Sequence, residues 1–295
     1  MGYIGLNPLY YKHEGFGTLM GHYASMFSLA LDTGLKPVIP YSRNYKFEHD
    51  SAMSFFNKFS DALDHYECFK NFTLIFNRLE QSSYNDIPWS FYNFQPASYK
   101  EIVSFIKENT NINYNCFWSL NPSMYWSHID KIKNYLFEFD IRLIDYCYSK
   151  LPNTDKNLVA ICVRNEYKKL SGPHTILSID YYKEAMNLFD KNNTKFLIFS
   201  DIIDESIQMF SELEKIYDIT YTEPMASAYG MCMMSLCKGI INANSSFSYW
   251  ASILSKNCKQ IICPTKFINE KLDHNLAQQI NYKWYPSDWL GLETT

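Results

Sequence analysis

The sequence predicts an α/β protein whose second half is a parallel, doubly wound sheet. Three observations lead there. From residue 158 to residue 263, short apolar runs alternate with segments of helical periodicity, the pattern of consecutive βα units. A polar stretch with a proline, Leu151-Pro152-Asn153-Thr154-Asp155-Lys156-Asn157, precedes that series and reads as a domain boundary, giving an N-terminal domain over 1–152 and a C-terminal one over 153–295. The chain also opens with a short apolar run, a glycine-bearing loop, an apolar helix and a second short strand.

The elements follow in order. Residues 3–7 read as a strand and 8–17 as a loop holding Gly15 and Gly17. Residues 18–32 form a helix, with Leu19, Tyr23, Met26, Phe27 and Ala30 at helical spacing and Gly34 as its stop. Residues 36–40 are a strand. The section from 41 to 125 is poorly periodic and rich in aromatics, Asn, Ser and Pro, with helices predicted over 51–59 and 99–108. Residues 126–151 read as one long amphipathic helix. Beyond the linker, strands are predicted at 158–163, 195–200, 219–222, 239–243 and 259–263, and helices at 180–192, 203–216, 226–237 and 247–255. No internal repeat or low-complexity tract interrupts this series.

Composition narrows the function. The chain has 295 residues, 47% hydrophobic and 20% charged, which is a globular balance with enough length for two cores. A net charge of −4 argues against a nucleic-acid binder that relies on a broad basic surface, though not against a local basic pocket. No segment reaches the roughly 18 uninterrupted apolar residues of a membrane span, and the N-terminus shows no signal-peptide pattern. The eight cysteines are scattered, without a Cys-x-x-Cys or paired-histidine spacing, so neither zinc nor any other metal site is expected and free thiols are. Together these predict a cytoplasmic protein without an integral membrane segment. The 24 tyrosines and 21 phenylalanines suit sugar stacking, although most belong to the core. The oligomeric state is not legible.

The most informative stretch is Lys238-Gly239-Ile240-Ile241-Asn242-Ala243-Asn244-Ser245-Ser246-Phe247-Ser248-Tyr249-Trp250. An apolar strand runs through a polar turn into an apolar helix. The first N–H groups of a helix lack internal partners and the dipole favours negative charge there, so Asn244, Ser245, Ser246, Phe247 and Ser248 are candidate contacts to a diphosphate. The same residues also satisfy an ordinary N-cap. A second constellation is Val159-Ala160-Ile161-Cys162-Val163-Arg164-Asn165-Glu166-Tyr167, in which Arg164 stands at the carboxyl end of a strand, where open α/β sheets bind ligands. Its planar fork suits a phosphate, and pairing with a carboxylate at the strand end is the alternative. A third is Phe196-Leu197-Ile198-Phe199-Ser200-Asp201, with Ser200 and Asp201 either at a ligand or capping the next helix.

These stretches resemble the α-1,2-fucosyltransferase family, glycosyltransferase family 11. The Cys237–Trp250 string is similar to the family's cysteine, basic residue, Ile-Ile-Ala-Asn-Ser-Ser-Phe-Ser-Trp-Trp run. Met231-Cys232-Met233-Met234-Ser235-Leu236-Cys237 is similar to its Leu-Met-Ser-x-Cys helix, and Gln260-Ile261-Ile262-Cys263-Pro264 to its Ile-Ile-x-Pro strand. Residues 162–167 resemble the family's His-x-Arg-Arg-Gly-Asp-Tyr motif in shortened form. Cys162 stands for the His, Arg164 for the first Arg and Glu166-Tyr167 for Asp-Tyr, while Asn165 alone replaces Arg-Gly. His13-Glu14-Gly15-Phe16-Gly17-Thr18-Leu19-Met20-Gly21-His22-Tyr23-Ala24 resembles the N-terminal glycine block at Gly15, Gly17, Met20, Tyr23 and Ala24. Its Glu14-Gly15-Phe16 is similar to a loop of protein O-fucosyltransferases, where the Glu acts as base.

The resemblance implies a GT-B-like enzyme with two Rossmann-type domains and a cleft between them. It implies inverting transfer of L-fucose from GDP-fucose to a hydroxyl of a glycan acceptor, with no cofactor besides that co-substrate. No Asp-x-Asp motif is present to hold a divalent cation on the diphosphate. The implied catalytic residues are Glu14, Arg164 and Glu166. The implied donor contacts are Gly15, Phe16, Gly17, Arg164, Ser200, Asp201 and residues 244–248, and His22 is the candidate acceptor contact. Two readings stand beside this one: a glycosyltransferase with another nucleotide-sugar donor, and an inactive sugar- or nucleotide-binding protein on the same fold.

Overall fold

A computed structural model describes residues 2–6, 15–41, 68–80, 83–84, 86–91, 98–109, 113–116, 122–165, 176–267 and 284–294. The chain divides into two compact units, Met1–Ile141 and Arg142–Thr295. The helix before the polar linker, Ile141–Lys150, thus falls with the second unit.

The first unit holds a five-stranded sheet of β1 (Tyr3–Leu6), β2 (Lys36–Tyr41), β3 (Asn77–Glu80), β4 (Trp89–Phe91) and β5 (Asn113–Cys116), in the order β3-β2-β1-β5-β4 with every neighbouring pair parallel. Helix α1 (Phe16–Thr33) follows β1 and ends at Gly34, whose φ of 76° permits the left-handed cap and whose N–H reaches Ala30 O at 2.9 Å. β3, β4 and β5 escape a reading of periodicity because they are three or four residues long (Asn-Arg-Leu-Glu, Trp-Ser-Phe, Asn-Tyr-Asn-Cys), so pairing defines them: β3 with β2, β5 with β1, and β4 with β5. Helix α2 (Tyr99–Glu108) forms where predicted and carries a capping box between Ser98 and Glu101. The helix expected over 51–59 lies outside the described residues.

The single long helix expected over 126–151 is instead broken. A 3₁₀ turn (Trp126–His128), one α turn (Ile129–Lys131) and a π segment (Ile132–Leu136) end at Phe137, and α3 (Ile141–Lys150) begins anew. The cause lies in the partners of the backbone. Lys70 N–H donates to Glu138 O at 2.8 Å and Asp140 N–H to Cys68 O at 2.9 Å, so residues 138–140 pair with 68–70 rather than along a helix. Phe137 and Phe139 pack on Phe69 with ring centroids 4.9 and 5.3 Å away.

The second unit is more regular. β6 (Asn157–Val163), β7 (Thr194–Ser200), β8 (Asp218–Tyr221), β9 (Gly239–Ile241), β10 (Gln260–Pro264) and β11 (Leu290–Leu292) form a parallel sheet in the order β11-β10-β9-β6-β7-β8. Counted along the unit, this is the Rossmann order 3-2-1-4-5-6. α4 (Ile179–Met186), α5 (Ile203–Phe210), α6 (Ser227–Ser235) and α7 (Ser246–Leu254) connect the strands. β6 and β7 are buried along most of their length, as strands covered on both faces must be. Gly239 opens β9 because a Cβ there would lie 2.6 Å from the Phe189 ring. The Met-rich α6 is almost wholly buried and packs on α7, so its methionines belong to the core. No described helix is long and apolar enough to cross a membrane.

Candidate active site

In the second unit the strand order reverses between β6 and β9. Their ladder runs through Val159↔Gly239, Ala160↔Ile240 and Ile161↔Ile241, and beyond it the two chains enter separate loops. Open α/β sheets bind ligands at such a reversal, outside the carboxyl ends of the strands. The Arg164 loop leaves β6 and the Asn244–Ser246 turn leaves β9, so two stretches some 80 residues apart in sequence flank one switch point. β7 ends beside β6, with Val163 opposite Ser200, and brings Asp201 to Arg164.

Asp201 Oδ1 accepts the Asn165 N–H at 2.8 Å, and Oδ2 stands 3.5 Å from Arg164 Nε. The Arg164 and Asp201 side chains are 26% and 12% exposed, so the pair is partly shielded from water. Asp201 is therefore not the cap of α5. The N-cap there is Ile202, without a side-chain cap bond, and its N–H reaches Ser200 Oγ at 3.1 Å. A guanidinium presents a planar fork of donors that suits bidentate phosphate binding. Asn165 is buried, and its Nδ2 donates to Ser206 Oγ at 2.8 Å, which in turn donates to Ser200 Oγ at 2.8 Å. This polar chain ties the end of β6 to the end of β7 and the start of α5. Cys162, at the place of the family's His, is buried. Burial pushes its thiol up to about 11, with Arg164 and a hydrogen bond to Ser248 opposing the rise.

The turn after β9 divides into inward and outward residues. Asn244, Ser245 and Ser248 are buried. Asn244 Nδ2 donates to Phe267 O at 3.3 Å, and Ser245 Oγ accepts the Phe247 N–H at 3.3 Å as the N-cap of α7. Ser248, expected as a donor to the ligand, turns its hydroxyl to Ala243 O (3.3 Å) and Ser245 O (3.2 Å) and so braces the turn. Ser246 and Phe247 are the half-exposed residues of the five. The helical ladder begins with Tyr249 N–H on Ser245 O, which places the N–H groups of 246–248 ahead of it.

In the first unit the strand order reverses between β1 and β5, and α1 is the next described element after β1. Gly15 is its N-cap, with φ −68° and ψ 156°, and among the described residues an added Cβ would meet nothing within 4 Å. Neither backbone conformation nor packing demands glycine there. Phe16, expected at the donor, is 8% exposed and stacks on Phe69 with centroids 6.2 Å apart, so it serves the core. Gly17 is buried in the first turn of α1. His22 is buried in α1, and burial lowers its pKa to about 4, which keeps the ring neutral. Glu14 and Glu166 lie outside the described residues. No cluster of three metal-ligating side chains occurs among the described residues.

Four residues that the sequence reading passed over shape this site. Asn242, fully buried after β9, donates from N and Nδ2 to Ile262 O (2.8 and 3.2 Å) and accepts from Ser252 Oγ at 3.1 Å. Tyr181, Tyr182 and Tyr285 donate to backbone carbonyls at the same sheet edge. A polar Asn after two isoleucines was the one available signal; the tyrosines gave none in a chain so rich in them.

Comparison with known proteins gives the chain its family. The O-antigen biosynthesis glycosyltransferase WbnK of Escherichia coli is 27% identical over 208 residues, which cover 64% of this chain and 68% of WbnK. Among solved structures, fucosyltransferase NodZ from Bradyrhizobium matches at 14% identity and a TM-score of 0.47, covering 88% of this chain and 95% of NodZ. POFUT1 in complex with GDP matches at 10% identity and a TM-score of 0.49, covering 88% and 96%. The glycosyl transferase family 11 model matches residues 14–293, nearly the whole sequence, and the chain belongs to that family of glycosyltransferases.

Proposed function

We propose that this glycosyltransferase moves L-fucose from GDP-fucose to a hydroxyl of a glycan acceptor, with inversion at C1 and without a metal ion. The observation that carries the reading is the meeting of Arg164 and the Ser245–Phe247 helix start on either side of one switch point, in stretches that resemble the fucosyltransferase signatures. The second unit is the donor-binding one in this reading and the first takes the acceptor. The acceptor oxygen attacks C1 as the bond from C1 to the β-phosphate oxygen breaks, and GDP leaves with the bonding pair. Arg164 and the N–H groups at the start of α7 stabilise that charge. Asp201 aligns Arg164, and Gly15 lets the ligand approach the backbone. Glu14 takes the proton of the acceptor hydroxyl, with Glu166 as the other candidate base. Cys68, Cys147, Cys162, Cys232, Cys237, Cys258 and Cys263 are free thiols, which suits work in the cytoplasm.

A nucleotide screen tests the donor. A ligand that binds only the folded state raises Tm, so GDP is expected to stabilise the protein more than UDP, CDP or ADP. Stronger stabilisation by UDP defeats the fucose donor and leaves a glycosyltransferase with another nucleotide sugar. NMR of the transfer product reads the configuration at C1, and unchanged turnover in EDTA is expected; retention, or loss of turnover in EDTA, contradicts the mechanism.

A further inference from the structure

At the β6–β9 switch point the last recorded ladder pair is Ile161↔Ile241. The next residues, Cys162 and Asn242, begin the divergence that leads to the Arg164 loop and the Ser245 turn. Their carbonyls are taken by two adjacent residues of one helix: Tyr182 Oη donates to Cys162 O at 3.1 Å, and Tyr181 Oη donates to Asn242 O at 2.7 Å. Both tyrosines belong to α4, both are buried, and their rings meet edge to face at 5.1 Å. Successive residues of a helix point about 100° apart, so a consecutive pair reaches two strands rather than one. A third tyrosine acts from the C-terminal segment. Tyr285, half-exposed, donates to Ala243 O at 3.3 Å, the carbonyl next in line after Asn242. Burial raises the Tyr181 and Tyr182 hydroxyls well above their ordinary value, so they stay protonated donors at any working pH.

We infer that Tyr181, Tyr182 and Tyr285 are positioning residues for the donor. By holding the carbonyls at which β6 and β9 part, they set the distance between Arg164 and the start of α7, and with it the fit to a nucleoside diphosphate. A pair that only filled the core would act on stability alone. A pair that sets the width of the crevice acts on diphosphate affinity and on transition-state charge, and leaves the acceptor contacts alone. This inference rests on the diphosphate site proposed above.

The test measures calorimetric affinity for GDP, UDP, CDP and ADP, with kcat and both KM values, for wild type, Tyr181→Phe, Tyr182→Phe, the double variant and Tyr285→Phe. Phenylalanine keeps each ring and removes the donor. Loss of one hydrogen bond that orders a site corresponds to about a five- to tenfold change. Each variant is expected to weaken the nucleotide preferred by wild type by that factor and to raise the donor KM, with acceptor KM unchanged. Tyr285→Phe alters a half-exposed position, so it answers the question should the core variants fail to fold. Folded variants with wild-type nucleotide affinity and donor KM overturn the inference, as does an equal rise in donor and acceptor KM. If wild type prefers UDP, the GDP reading falls while the clamp is judged on UDP; if wild type binds none of the four, both fall.

Discussion

Arg164→Lys separates a phosphate-binding arginine from one that merely closes an ion pair. The guanidinium stands with Nε 3.5 Å from Asp201 Oδ2, on a side chain 26% exposed. If that pair were its whole role, lysine would replace it at little cost, since partly exposed ion pairs contribute about 0–1 kcal/mol. If the Nη edge holds the departing diphosphate, lysine fails twice. It has one nitrogen where arginine has a fork, and the attraction of Asp201 competes with the phosphate for that nitrogen. Removing a donor aimed at developing charge typically costs about 3–4 kcal/mol, which corresponds to a fall of roughly 10²–10³-fold in rate. The charge grows as GDP leaves, so kcat is expected to fall more than GDP affinity. The assay is steady-state transfer or donor hydrolysis beside calorimetric GDP binding, with Tm as the control for folding. Asp201→Asn adds a second arm. It puts an amide donor or a neutral oxygen against Nε, so it is expected to lose part of the Arg164 effect in wild type and little more in Arg164→Lys, the non-additivity of two residues acting as one. A folded Arg164→Lys protein with kcat/KM within threefold of wild type would refute the reasoning.

Three further outcomes are expected. Glu14→Gln should keep GDP affinity and lose about 10²–10⁴-fold in transfer; activity within a few-fold of wild type shifts the base to Glu166. Gly15→Ala should raise Tm slightly, because φ −68° and the open space suit alanine and the unfolded chain loses freedom, yet reduce transfer where the backbone must meet a ligand. Unchanged kinetics in that variant would remove Gly15 from the site. The third concerns pH. His22 has a folded pKa of about 4 against 6.5 in the unfolded chain, because burial disfavours its charged form. Its depressed value makes the neutral ring a contribution to stability that is complete above pH 6.5 and lost as pH falls from there toward 4. The full difference is about 3 kcal/mol. Urea unfolding between pH 7 and pH 4.5 should therefore be flatter for a folded His22→Gln protein, and identical slopes would contradict the burial argument.

Five of the six strands of the second unit were legible because short apolar runs alternate there with helical periodicity and are closed by turn residues, while β11, three residues long, was not foreseen. β6 and β7 are buried on both faces, and such strands write themselves into the sequence as uninterrupted Val, Ile, Leu and Phe. The first unit was legible in its first two strands and in the helices at Phe16–Thr33 and Tyr99–Glu108, and not in its other strands. Asn77–Glu80 is a strand only because β2 lies beside it, and no local propensity of Asn-Arg-Leu-Glu foretells that pairing. Residues 138–140 carry the helical period of their neighbours, but their hydrogen bonds go to 68–70, a partner some 70 residues away. At the site the division is similar. Residue type and strand-end position pointed to Arg164, Asp201 and the 244–248 turn. Which of them face outward was decided by tertiary partners, as Phe16 on Phe69 and Ser248 on Ala243 show.

The motif at 162–167 resembles the family's His-x-Arg-Arg-Gly-Asp-Tyr in shortened form, and its described residues run to Asn165. Asn165 stands where the resemblance sets the family's Arg-Gly, and it is buried, with its backbone N–H on Asp201 and its Nδ2 on Ser206. A second cationic side chain at that buried position would need a carboxylate of its own, since an unpaired buried charge costs several kcal/mol. The asparagine instead spends its hydrogen bonds on Asp201 and α5, and thereby holds the carboxylate that stands beside Arg164. Cys162 makes the same exchange at the other side of the strand. A thiol held protonated by burial takes the place of an imidazole and leans on Ser248, which braces the turn before α7. Each of the two residues makes a contact that stiffens one of the two loops at the switch point. In the donor-site reading proposed above, Arg164 is the cation set at the diphosphate, and the ion pair with Asp201 and the tyrosines that hold the Cys162 and Asn242 carbonyls are the groups that fix where it stands.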